Sequence, residues 1–161
     1  MPSTHKRVIV RRLDRDSVSG FVGASYIQQN KIELLNAAGK LVLIPLEEVK
    51  AVYFVRDLEN SEEIVRKSFP SRPRAEGLWV RLIFNDQEML EGLMGNELSQ
   101  FAPDGFLIAP PDTRGNTQRI FVPRSSLQSF SVLAVIGGIA LGKKRPAAVR
   151  PAMPQLFAEN E

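Results

Sequence analysis

Catalysis or metal binding needs nucleophiles, bases or ligands at defined spacing, and this chain offers almost none. Its one histidine, His5, has no positioned acid or nucleophile beside it, and cysteine is absent. Disulfide frameworks, thiolate metal sites and cysteine nucleophiles are thereby excluded. The carboxylate pairs Glu47-Glu48 and Glu62-Glu63 are adjacent rather than at ligand spacing, and no glycine-rich loop leads from a strand into a helix to cradle a phosphate. The expectation is a protein that is not an enzyme and holds no cofactor and no metal.

The chemistry that remains is recognition. Lys6, Arg7, Arg11 and Arg12, with Arg15, form a basic N-terminal group, and Arg66, Lys67, Arg72 and Arg74 follow in the middle of the chain. Lys6, Arg7, Arg11, Arg12, Arg72 and Arg74 are the candidate nucleic-acid contacts, because phosphate-tracking surfaces are built from such residues. Against this, Arg7 and Arg11 also fit the outward positions of a strand whose inward residues are Val8 and Val10. The polar stretch Asp112–Arg119 is rich in hydrogen-bond donors; Arg114, Asn116, Gln118 and Arg119 are its candidate partner contacts. Arg56 and Asp57 close an apolar strand and suggest an ion pair that fixes a junction between two units. Trp79 opens a strand and suits a core.

Placing these residues requires the elements. With 161 residues, 43% of them apolar, 11 Gly and 11 Pro, the chain suits many short strands separated by turns and carries no long amphipathic helix. The sequence repeats itself. Val8-Ile9-Val10-Arg11-Arg12-Leu13-Asp14, leading to Gly20-Phe21-Val22-Gly23, is answered 72 residues on by Val80-Arg81-Leu82-Ile83-Phe84-Asn85-Asp86, leading to Gly92-Leu93-Met94-Gly95. Ile44-Pro45-Leu46 through Asp57 is answered in altered form by Val122-Pro123-Arg124 through Val132. Each copy reads as five strands, the first set near 6–13, 17–24, 31–35, 41–44 and 50–55, the second near 78–84, 89–95, 105–109, 119–122 and 128–135. Pro45 and Pro123 end the fourth strands and leave room for one tight helical turn before the fifth. Gly20, Gly23, Gly92 and Gly95 sit where a strand must bend.

The predicted fold class is all-β: two tandem, five-stranded, strongly bent small barrels at 1–57 and 78–137. A linker at 58–77 carries a capping-box pattern from Asn60 to Glu63, and a proline-rich flexible tail occupies 138–161. This order of strands, with its aspartate-containing turn, bent glycine strand and proline-marked turn, resembles the Sm-like and SH3-like small barrels over nearly all of 6–56 and 78–136. It also resembles uncharacterised bacterial proteins with phrases like Phe54-Val55-Arg56-Asp57 and Arg119-Ile120-Phe121-Val122. The Sm-like resemblance implies RNA reading by the loop after strand two and by an Arg-Gly-type turn between strands four and five. At the latter place this chain has Leu46-Glu47-Glu48 and Arg124-Ser125-Ser126. Arg7-Val8-Ile9-Val10-Arg11 with Ser17-Val18-Ser19-Gly20 is similar to the two motifs of cyclic-dinucleotide-binding PilZ barrels, although Arg15 stands where the second motif has Asp or Asn. Gln155-Leu156-Phe157 resembles a short sliding-clamp-binding motif.

The N-terminus lacks the apolar core of a signal peptide, and the apolar run from Val132 to Gly142 is too short to cross a bilayer, so the expected location is cytoplasmic and no membrane is involved. The net charge of +3 permits an anionic partner without demanding one. The leading expectation is a non-catalytic binding or scaffolding module. It would act through protein–protein contacts or self-association, because strands four and five of such units expose ladder groups that another copy can satisfy. The alternative is an RNA- or DNA-binding protein; the remote alternative is a PilZ-like barrel.

Overall fold

The structure is a computed structural model that describes residues 5–60 and 66–137. It is all-β. In chain order the strands are β1 (Lys6–Arg12), β2 (Ser17–Val22), β3 (Ile27–Gln28), β4 (Lys31–Leu35), β5 (Leu41–Pro45), β6 (Val49–Val55), β7 (Gly77–Phe84), β8 (Met89–Met94), β9 (Gly105–Ile108), β10 (Thr117–Pro123) and β11 (Leu127–Ile136). Ten of these are the strands read from the sequence; the two-residue β3 is too short to show a period. Residues 61–63 of the Asn60–Glu63 capping pattern and the 138–161 tail, with its Gln155-Leu156-Phe157, lie outside the described residues.

Period-two alternation decides which side of each strand is buried. Val8 and Val10 of β1, Ile32 and Leu34 of β4, and Val80 and Leu82 of β7 are all fully buried. Pro45 and Pro123 end their strands, and each is followed by a single 3-10 turn, Leu46–Glu48 and Arg124–Ser126, before the next strand begins. Both prolines have extended backbone, with φ −57 and ψ 133 at Pro45 and φ −62 and ψ 139 at Pro123.

Strand pairing repeats in register. Val8 lies opposite Gly20, and Val80 opposite Gly92. Phe21 lies opposite Leu35, and Leu93 opposite Ala109. Lys31 pairs with Pro45, and Gly105 with Pro123. Arg12 pairs with Val49 and Phe84 with Leu127, and in each case a bulge then sets aside one residue, Lys50 or Gln128. Gly20 and Gly92 are needed for close approach: a Cβ on Gly20 would sit 2.4 Å from the Leu35 carbonyl oxygen, and one on Gly92 would sit 2.7 Å from the Ile108 side chain. A Cβ on Gly23 meets nothing.

The two halves do not stand apart, and neither sheet closes into a barrel. An eight-stranded sheet runs β3-β4-β2-β1-β6-β10-β9 with β5 joined to β4, and a three-stranded sheet runs β11-β7-β8. The first half is continuous with the second because β6 and β10 pair antiparallel, with Arg119 opposite Phe54, Ile120 opposite Tyr53 and Phe121 opposite Val52. Both strands have apolar residues on both faces, so each needs cover on both sides. Phe121 of the second half joins the core of Val8, Val10, Ile32, Leu34 and Val52, and Ala51 of the first half joins the core of Val80, Leu82, Ile108, Ile120 and Val122. The β6–β10 seam is thus an exchange of side chains between two cores.

Candidate functional site

Three constellations hold buried or part-buried polar side chains in place, and two long sheet edges stay open. The first crosses the seam. The bulge in β6 aims Lys50 at the 85–88 turn of the second half, where its ammonium pairs with Asp86 at 2.6 Å and with Glu88, and lies 4.9 Å from the Phe84 ring centroid. Burial alone would lower Lys50, but the hydrogen bonds and charges of Asp86 and Glu88 outweigh it and hold the ammonium above its ordinary value. The same hydrogen bonds pull Asp86 and Glu88 below the usual carboxylate range. The Ser126 hydroxyl, fully buried, hydrogen-bonds the Lys50 carbonyl at 2.9 Å and ties the same bulge to the second 3-10 turn.

In the second constellation, Glu91 is buried on β8 and accepts from the Phe69 backbone N–H at 3.1 Å, the Trp79 indole at 3.3 Å and Arg81 at 3.0 Å. Its burial would raise the carboxyl, yet these donors leave it below its ordinary value. Trp79 also meets Phe69 edge to face at 6.1 Å. Trp79 therefore belongs to the packing of the segment before β7.

The third is the junction around Arg56 and Asp57. The expected ion pair between them is replaced by contacts to the loop before β10. Arg56 donates to the carbonyls of Thr113 at 2.9 Å and Gly115 at 3.1 Å. Asn116, buried, accepts from the Asp57 N–H and donates to its carbonyl, each at 2.8 Å, while an Asp57 carboxylate oxygen accepts from the Glu59 N–H. The contacts of Arg56 and Asp57 run to residues 113–116. Asn116 is thus a structural clasp. Arg114 stays almost fully exposed beside Asp112, and Gln118 and Arg119 are exposed on β10.

The basic residues do not form one face of free cations. Arg7 donates to the Arg56 carbonyl at 3.2 Å, Arg11 lies over the Tyr53 ring at 5.5 Å, and Arg12 turns toward the interior with its Nε buried. Arg72 and Arg74 are exposed. Lys6 instead meets Gln118 and Arg119 at the rim of a cleft of about 520 Å³ whose floor is Tyr26, Phe54 and Leu107. Tyr26 stands edge-on to Phe54 at 5.5 Å and to Phe121 at 5.9 Å, and burial pushes its phenol up to about 12. Among the described residues no group of three His, Asp or Glu is placed to hold a metal ion, and no helix is long and apolar enough to cross a membrane.

Of the described sheet edges, β3 has only two residues and the β8 and β9 ends meet at the Leu93–Ala109 bridge, which leaves two longer ones. Among the described strands, β5 has no neighbour on the side away from β4, and β11 has none on the side away from β7. Leu41 and Leu43 of β5 are 62% and 49% exposed, and Val132 and Val135 of β11 are 48% and 55% exposed. Neither strand contains a charged residue. Sheet edges are normally blunted by lysines, prolines inside the strand or covering loops; among the described residues β11 has none of these over ten residues, and β5 has only its terminal Pro45. Beside β11 lies an aromatic cluster in which Phe106 stacks on Phe130 at 4.6 Å and Phe101 meets both edge-on at 6.1 Å. A shallow concavity of about 300 Å³ opens there among Phe101, Phe106, Leu127 and Phe130. The particular edge residues escape an alternation count because Leu41-Val42-Leu43-Ile44 is apolar on both faces, and that doubled apolarity is the signal that could have found them.

No curated protein and no solved structure matches the chain. A family model does, over residues 4–134, from the start of the first half to near the end of β11. The chain belongs to that family, the family of unknown function DUF6982.

Proposed function

We propose that this protein is a non-catalytic interaction module that acts by strand pairing at its two open sheet edges, as a scaffold or self-associating unit. The observation that carries the reading is the exposure of apolar side chains on β5 and β11, two uncharged edge strands. Edges of this kind are templates for another strand: ladder hydrogen bonds supply affinity, and alternate side chains supply specificity. The finer fold reading goes with it, namely two copies of one small, bent, Sm-like or SH3-like unit. The offset-related pairs Val8/Gly20 with Val80/Gly92 and the matching bulges at Lys50 and Gln128 support it. The test is capture from a cell extract by wild type and by variants carrying Leu43→Lys or Val132→Lys, with self-association measured in parallel. Association that depends on either edge supports the reading. Association indifferent to both substitutions, or none of any kind, contradicts it.

A second reading, single-stranded nucleic acid, is favoured by one feature: the cleft where Lys6 and Arg119 flank an aromatic floor containing Tyr26. Binding of a fluorescent oligonucleotide at about 50 mM salt that weakens with added salt and with Lys6→Glu or Arg119→Glu would support it. No binding at that salt would remove it.

A further inference from the structure

We infer that the partner of these edges is a second copy of this chain, joined head to tail, with β5 of one copy pairing with β11 of the next in the manner of the β6–β10 seam. This rests on the edge-pairing reading and adds the identity, polarity and register of the contact.

The seam inside the chain is the template. There the fifth strand of the first half, β6, takes the fourth strand of the second half, β10. What the seam leaves over is the fourth strand of the first half, β5, and the fifth strand of the second half, β11, which are the two open edges. Each open edge is the repeat of the other's partner type. Repeating the half-to-half step once more, across a chain boundary, joins them. Because Pro45 corresponds to Pro123 and Val49 to Leu127, both 78 residues on, the seam pairs Arg119/Phe54, Ile120/Tyr53 and Phe121/Val52 translate to Leu41/Val132, Val42/Ser131 and Leu43/Phe130.

The side chains agree with this register. Phe121 is only 5% exposed because it sits in the first core, beside Tyr26 and opposite Val52. Its counterpart Leu43 is 49% exposed in the single chain. The seat that Leu43 would take in the next copy is open: Phe106, Leu127 and Phe130, which line a concavity with Phe101, are the counterparts of Ile32, Val49 and Val52, members of the core that Phe121 enters beside Tyr26. Leu41 would then cover Val132. In the reverse direction, Ala51 of the seam reaches into the second core; Ser129, its counterpart and similarly small, would reach the first core of the next copy.

The turns agree too. Lys50 reaches Asp86 and Glu88 across the seam. One step on, Gln128 would face Asp14 and Asp16 of the next copy, in a turn of the same build. Asp14 caps the Asp16 N–H at 3.0 Å as Asp86 caps the Glu88 N–H at 3.0 Å, and Arg15 and Gln87 share positive φ values of 78 and 75. Such a contact is heterologous, so each copy keeps one free edge of each kind until a ring closes or a filament grows.

The experiment is sedimentation of complementary variants of the full chain. Leu41→Lys with Leu43→Lys blocks β5, and Val132→Lys blocks β11; all three residues are already about half exposed, so the single chain tolerates the change. Wild type is expected above its monomer mass of 17.9 kDa. Each blocked variant is expected to be monomeric, with association weakened at least about tenfold. Mixed one to one, the two are expected to give a dimer and nothing larger, since only one pair of edges is intact; this restoration also shows that both variants fold. A single variant that still dimerises alone indicates like-with-like edge pairing and overturns the proposal, as does a mixture that stays monomeric. A monomeric wild type that takes up an unrelated partner at β5 or β11 overturns head-to-tail assembly and leaves the edge reading standing. A monomeric wild type with slow amide exchange along β5 or β11 assigns the edge to the chain's own residues 138–161 and overturns the proposal. A monomeric wild type with neither overturns both.

Discussion

The Lys50 ammonium, carried on a strand of the first half, lies 2.6 Å from the Asp86 carboxylate in a turn of the second half, and the side chain that spans this seam is nine-tenths buried. A strand bulge is what allows it: the residue set aside from the β1–β6 ladder is the one whose side chain crosses. The seam is therefore held by side-chain exchange between cores, by ladder hydrogen bonds and by one buried cation.

That cation makes stability depend on pH at both ends. Asp86 and Glu88 titrate below their ordinary values of 3.8 and 4.5, so their contribution is complete above about 4.5 and is lost as pH falls through the carboxylate range. Lys50 titrates above its ordinary 10.5, so its contribution is complete below that value and is lost as pH rises through the folded-state titration. Lys50→Met is expected to flatten both limbs while staying within about 1–2 kcal/mol of wild type at neutral pH, because an apolar side chain replaces a desolvated ion. Asp86→Asn with Glu88→Gln is expected to cost more, about 2–3 kcal/mol, because it strands the buried ammonium; the half-exposed carboxylates keep this below the cost of a fully buried pair. Urea denaturation across pH reads all of these; a double variant less costly than Lys50→Met contradicts them.

Glu91→Ala leaves the Trp79 indole and the Phe69 N–H without their acceptor. The expected loss is about 2–4 kcal/mol, with altered tryptophan fluorescence from the chain's single Trp. Unchanged stability and an unchanged emission spectrum would show that the segment before β7 is held by other contacts.

Asn116→Ala removes both bonds to the Asp57 backbone and is expected to cost about 1–3 kcal/mol, with faster amide exchange at Asp57. Arg114→Ala, at an almost fully exposed side chain, is expected to leave stability within about 0.5 kcal/mol of wild type. Equal effects of the two would contradict the assignment of Asn116 as the clasp.

Gln128→Lys gives β11 the cation that β6 carries at Lys50. If copies join head to tail, this lysine meets Asp14 and Asp16 of the neighbour, and self-association is expected to strengthen about threefold to tenfold at low salt and to lose that gain at high salt. Sedimentation at two ionic strengths measures it. Weaker association at low salt would place Gln128 away from those aspartates.

The strands were legible because their periods were clean. Val8 and Val10, Ile32 and Leu34, and the two Pro-turn units predict elements that the structure contains. The pairing partners were not legible. A period of two says that Val52 and Phe54 face one way and Ala51 and Tyr53 the other, but not that β10 supplies the cover, because sheet continuity is decided by contacts distant in sequence. For the same reason Arg7, Arg11 and Arg12 read as one basic group, whereas the fold gives them a carbonyl, a tyrosine ring and the interior. The partners of Arg56 and Asp57, namely Thr113, Gly115 and Asn116, lie more than fifty residues away and leave no local signal.

The most direct measurement of edge pairing between copies is amide hydrogen exchange of residues 41–44 and 127–136 in wild type as protein concentration is raised. Both strands are expected to be open when dilute and to become protected together, at the same midpoint, as concentration rises, while β6 and β10 stay protected throughout. Exchange along β5 and β11 that is fast at every concentration, or protection that reaches only one of them, would contradict it.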